Sequence, residues 1–85
     1  MKYKVGDPVK IKDSIFDDPI KSDNVAFLKG AWGLVAKTEM GIMFEHYYVF
    51  FPQYPAETEE TEPTVLDLSY ILYEVELEPL DEILF

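Results

Sequence analysis

Residues 30–51 hold the densest apolar pattern in the chain. A Gly30-Ala31-Trp32-Gly33 step leads into Leu34-Val35-Ala36, a turn follows at Thr38-Glu39-Met40-Gly41, and a second apolar run covers 42–51. Two β-rich runs separated by a turn ending in Gly predict a hairpin, because Gly reaches the positive φ that such turns use. The turn is expected to centre on Met40-Gly41. The second run is apolar on both faces, with Ile42, Phe44, Tyr48 and Phe50 on one and Met43, Tyr47, Val49 and Phe51 on the other. A strand in a small domain ordinarily keeps one wet face. The surplus must be covered by the long loop, by the C-terminus or by another protein.

Residues 3–11 alternate apolar Tyr3, Val5, Val9 and Ile11 with Lys2, Lys4, Lys10 and Lys12, interrupted by Gly6-Asp7-Pro8. Period two with one charged face predicts a half-buried strand, with Pro8 at a strand start or edge because it has no N–H to donate. The periodicity breaks over 13–29. That stretch reads as a long ordered loop anchored by Ile15, Phe16, Phe27 and Leu28, with Ser22 or Asp23 capping one short helical turn that closes at Gly30. Residues 55–63 are acidic with nothing to bury and are expected to form a mobile excursion. Residues 65–73 return to apolar character as a strand bent near Ser69 or Tyr70. Over 73–77, Tyr73, Val75 and Leu77 face inward against Glu74, Glu76 and Glu78, before Pro79 stops the strand. The tail, 81–85, ends apolar at Ile83-Leu84-Phe85 and either folds back or meets a partner.

At 85 residues the chain reads as one domain, 1–85, able to bury only roughly 60–65% of its unfolded surface. There is no Cys, so disulfides and thiolate chemistry are excluded, and six Tyr, six Phe and one Trp supply the packing area instead. Met1-Lys2-Tyr3-Lys4 runs straight into the alternating pattern, and no run approaches the ~18 apolar residues of a membrane span. The expectation is a cytoplasmic protein with no membrane partner.

Charge alters the picture more than its total. All seven basic residues are Lys and lie at or before Lys37, where five Asp leave +2; the twelve acids from Thr38 onward meet no base, giving −12 and the net −10. Such a field repels nucleic acid, which is bound by neutralising its phosphates, and attracts basic surfaces. The absence of Arg removes the usual phosphate-reading group as well.

Four or five short strands with turns at this spacing resemble SH3-like barrels, including KOW-type modules and the accessory subunits of photosystem I and of ferredoxin-thioredoxin reductase. The resemblance rests on Val5-Gly6-Asp7-Pro8-Val9-Lys10-Ile11, Gly30-Ala31-Trp32-Gly33-Leu34-Val35, Tyr48-Val49-Phe50 and Leu77-Glu78-Pro79-Leu80, about a third of the chain. It implies a mainly β fold, a small barrel of about five antiparallel strands with one short helical turn in the first long loop. It also implies that the first and last strands are neighbours, setting Lys4, Lys10 or Lys12 across from Glu74, Glu76 and Glu78. KOW-type nucleic-acid binders look basic and this chain does not. The aromatic Pro-peptide motif of signalling SH3 domains is missing too, so that groove is not carried over.

Candidate chemistry is sparse. His46 is the sole imidazole, and Ser14, Ser22 and Ser69 have no base nearby in sequence, so neither a triad nor a zinc site is indicated. No catalytic residue, metal or cofactor is expected. Asp13, Asp17, Asp18 and Asp23 fit turn and cap duty, with a weak calcium site as the alternative, although their spacing matches no EF-hand loop. Glu57, Glu59, Glu60 and Glu62 are either a solvated loop or phosphate stand-ins. In the second case they join Tyr47, Tyr54, Asp17, Asp18, Asp81 and Glu82 in binding a basic protein. Trp32 serves equally as a core residue or as part of that surface.

The resulting expectation is a non-enzymatic acidic protein-binding module. Its sharper form is a phage-type inhibitor that mimics nucleic acid and blocks a nucleic-acid-binding enzyme. The alternatives are an accessory subunit of a larger enzyme and a calcium-binding regulator. A homodimer through the apolar strand or the tail is a further possible assembly.

Overall fold

The computed structural model describes residues 2–80. Five antiparallel strands form one sheet in the order β4-β3-β2-β1-β5, namely β1 (Pro8–Ile11), β2 (Gly33–Met40), β3 (Glu45–Phe50), β4 (Tyr70–Tyr73) and β5 (Leu77–Pro79). The mainly β class and the strand number match the sequence reading. Closure does not: β4 and β5 are the two ends of the strand order, so the sheet is open where a barrel would pair them.

In β1, Val9 and Ile11 point inward while Pro8 and Lys10 stay half-exposed, as period two demands. The predicted first strand is shorter than expected. Gly6, at φ +95°, turns residues 3–7 back on themselves, and Asp7 accepts from the Lys4 N–H at 3.0 Å. Tyr3 is buried there, but Val5 is expelled to solvent at 63% exposure. The Tyr3 N–H donates to the Tyr47 hydroxyl at 3.2 Å, and the Tyr3 hydroxyl donates to the Leu77 carbonyl at 3.3 Å. One residue, through its backbone N–H and its hydroxyl, thus ties the N-terminal segment to β3 and β5.

Between β1 and β2 the chain forms more helix than the single turn expected: α1 (Asp13–Phe16), α2 (Pro19–Ser22) and a 3-10 turn at Ala26–Leu28. The turn ahead of Gly30 has Val25 at its N-cap and no side-chain cap, so neither Ser22 nor Asp23 serves there; the capping side chain of this segment is Asp18, on α2. Its Oδ1 accepts from the N–H groups of Ile20 and Lys21 at 2.9 and 3.3 Å, with Pro19 at the first helical position. Ile15 and Leu28 plug the core from this segment, and Phe16 and Val25 pack beside them.

The predicted hairpin is β2–β3, with its turn displaced. The Gly41 N–H donates to the Phe44 carbonyl at 3.0 Å, so Ile42-Met43 is the tip and β3 begins only at Glu45. Gly41 does not have positive φ. It is small because an added Cβ would come within 2.9 Å of the Phe44 carbonyl oxygen. The register slips between Val35 and Lys37, leaving Ala36 as an extra residue, so the inward alternation of β2 ends at Val35.

Tyr47, Val49 and Phe51 are fully buried and meet Val9, Val35, Leu28 and Leu77 to form the core. Burying a large apolar side chain is worth roughly 1.5–3 kcal/mol, so these residues carry most of the fold's stabilisation. Leu72 is the inward residue of β4. The stretch 65–68 is a turn and not the start of that strand. The expected inward face of 73–77 also fails except at Leu77. A 3-10 turn at Glu74–Glu76 breaks the alternation, and Tyr73 and Val75 are 47% and 68% exposed.

The anticipated pairing of first and last strands is present. Lys10 stands opposite Glu78 in the β1–β5 register, and their charged ends are 3.0 Å apart. That hydrogen bond, followed by the nearby charges of Asp13 and Glu78, raises the Lys10 pKa.

Candidate functional site

The acidic excursion leaves the sheet after β3 and returns at β4. Its neck is closed by the Ala56 N–H donating to the Leu68 carbonyl at 2.9 Å, and its far side by Thr64, whose N–H and hydroxyl donate to Asp67 at 2.9 and 3.1 Å. Glu57, Glu59, Glu60 and Glu62 are all exposed, and none makes an ion pair among the described residues.

At the neck of this loop lies an aromatic groove of about 490 Å³, lined by Phe27, Tyr54, Pro55, Glu57 and Tyr70. Phe27 sits edge-on to both tyrosines, with ring centroids 6.2 Å from Tyr54 and 5.7 Å from Tyr70. Tyr70 in turn contacts Phe51, at 6.0 Å, which anchors the groove floor to the core. Phe27 and Tyr54 are about half exposed. Burial, and secondarily the charge of Glu57, raises the Tyr70 pKa above its ordinary 10.0.

The sequence-derived binding residues are therefore partly brought together and partly separated. Tyr54 and Glu57 share the groove, and Glu59, Glu60 and Glu62 continue along the loop. Tyr47 is corrected: with no exposed surface it is a core residue whose hydroxyl serves Tyr3, and it cannot touch a partner. Asp17 is exposed at the end of α1, while Asp18 is committed to capping α2. Asp81 and Glu82 lie outside the described residues. Trp32 is half-buried, and Gln53, with its amide oriented to suit, donates to the Trp32 carbonyl and accepts from its indole N–H.

No group of three or more His, Asp or Glu residues among the described residues could hold a metal ion, so Asp13, Asp17, Asp18 and Asp23 do not assemble one. His46 lies 3.8 Å from Glu39, beside the rings of Tyr48 and Tyr73. No described helix is long and apolar enough to cross a membrane.

Sequence reasoning did not find Phe27 and Tyr70 as site residues, because the groove joins positions more than forty residues apart. It also placed Ile42, Met43 and Phe44 within a strand. They form an exposed apolar tip, with Met43 and Phe44 bordering a smaller cleft of about 220 Å³ shared with Glu45, Tyr73, Glu74 and Val75. The two-faced apolar pattern of 42–51 was the legible signal for this surface. Comparison with family models, curated proteins and solved structures finds no match to this chain.

Proposed function

We propose that this chain is a non-enzymatic acidic binding module that occupies the nucleic-acid-binding surface of a basic protein. The observation that carries this reading is the loop bearing Glu57, Glu59, Glu60 and Glu62, exposed and without cationic partners among the described residues, beside the half-exposed ring of Tyr54. Spaced carboxylates on a β scaffold reproduce the charge of a phosphate backbone, while aromatic rings supply the desolvated contact that slows release. The adjacency of first and last strands supports reading the open sheet as a variant of the SH3-like architecture.

The test is capture of the partner from the natural host at low and high salt, followed by competition with double-stranded nucleic acid. The expected partner is a nucleic-acid-binding protein, released by salt and displaced by the competitor. Replacing Glu57, Glu59, Glu60 and Glu62 together by Gln weakens its binding severalfold. Unchanged affinity in that variant removes the loop from the interface.

The exposed apolar tip favours a second reading, a permanently docked accessory subunit. Ile42, Met43 and Val75 are 105%, 81% and 68% exposed, and such patches commonly mark protein contacts. A partner that stays bound in high salt and ignores nucleic acid supports it.

A further inference from the structure

From the groove between Phe27, Tyr54 and Tyr70 we infer a recognition site for a single cationic side chain, the ammonium of a lysine presented by the basic partner. This deepens the function proposed above and rests on its premise of a cationic partner. An aromatic face attracts a cation through the negative centre of its quadrupole, most strongly where several rings and a carboxylate surround it. The groove has those parts: three rings, with Phe27 inclined to both tyrosines and two of the three half exposed, and Glu57 in the same lining.

Charge complementarity selects the occupant. Glu57 is the one charged residue lining the groove, and every ionisable side chain on the loop at 55–63 that leads away from it is a carboxylate. A neutral apolar side chain would forgo that attraction, and an anionic one would be repelled. The same chemistry already operates within the molecule, where Lys37 Nζ stands 5.3 Å from the centre of the Tyr48 ring and Lys2 Nζ 5.6 Å from that of Tyr3. No described lysine occupies the Phe27–Tyr54–Tyr70 groove in that way.

The site is tested by NMR titration of the whole chain with N-acetyl-lysine methylamide, against the norleucine analogue, which keeps the alkyl stem and drops the charge. Lysine is expected to shift Phe27, Tyr54 and Tyr70 selectively, with norleucine binding about fivefold more weakly or worse. Tyr54→Ala weakens lysine binding by a similar factor, Tyr54→Phe restores it, and Glu57→Gln weakens it severalfold. Tyr54 is half exposed, so these variants keep the core intact. Equal binding of norleucine, shifts confined to other surfaces, or wild-type affinity in Tyr54→Ala would overturn the site. A salt-sensitive partner bound without perturbing the three rings overturns the groove but leaves the proposed function standing. Lysine binding in the groove with no nucleic-acid-competed partner does the reverse.

Discussion

Three glycines illustrate how one residue type meets different physical demands. Gly30 stands at φ +79° with open space where a Cβ would go, so its constraint is backbone conformation alone. Gly33 has no such φ, but an added Cβ would lie 2.6 Å from Val49 Cγ1 and 3.0 Å from the Phe50 carbonyl oxygen. Gly41 is held by the approach of the Phe44 carbonyl across the turn. Gly30→Ala is therefore expected to cost roughly 1–2 kcal/mol of left-handed strain, and Gly33→Ala roughly 1–3 kcal/mol of overpacking. Asparagine separates the two causes. Gly30→Asn should be milder than Gly30→Ala, because Asn tolerates the left-handed region, whereas Gly33→Asn should be worse than Gly33→Ala because it is larger. Urea midpoints of the four variants check this. The sequence marked Gly41 and the Gly30–Gly33 pair as special without revealing which demand applied at each.

At the scale of elements, the sheet is fastened by a few polar groups placed where strands end. Tyr3 joins β3 to β5, Asp18 starts α2, and the Tyr73 N–H donates to Glu76 Oε1 at 2.9 Å as β4 passes into the 3-10 turn. Two tyrosines, Tyr3 at the first of these junctions and Tyr70 at the start of β4, make the fold sensitive to alkali. Burial first, then the charges of Glu74, Tyr47 and Glu78, raise the Tyr3 pKa, and burial with Glu57 raises that of Tyr70. The unfolded chain loses phenolic protons near 10.0 while the folded chain holds them longer. Their stabilising contribution is thus complete below that pH and is lost as pH climbs through the raised folded values. Lys10, also raised, acts in the same direction. Melting temperature should fall as pH increases beyond about 10, in step with phenolate absorbance. Glu57→Gln should lower the Tyr70 pKa only part of the way, since burial is the larger cause.

Across the whole molecule, 17 acids face 7 lysines, and the net −10 opposes compaction. Pairs such as Lys10–Glu78, whose side chains are each 35% exposed, offset little of this because solvent screens them. Repulsion among the remaining carboxylates dominates, so added sodium chloride should raise the melting temperature, with most of the gain complete by about 0.15 M, where the screening length is ~8 Å. A fall with salt would mean that the ion pairs outweigh the repulsion.

What the sequence determined unaided was whatever depends on neighbours along the chain: the β class, the existence of the hairpin, the division of charge at Lys37, and the inward alternation of Val9 and Ile11. The facing of Lys10 and Glu78 was also reachable, once the first and last strands were taken as neighbours. The tertiary structure alone decided which face of 42–51 is core. Alternation cannot distinguish two faces that are both apolar, and the choice of Tyr47 and Val49 as buried over Tyr48 and Phe50 as part-exposed belongs to the core that Val9, Val35, Leu28 and Leu77 form on one side of the sheet. It also decided that Phe27, Tyr54 and Tyr70 meet, because a groove made from a loop, a strand exit and a sheet edge has no period for the chain to display.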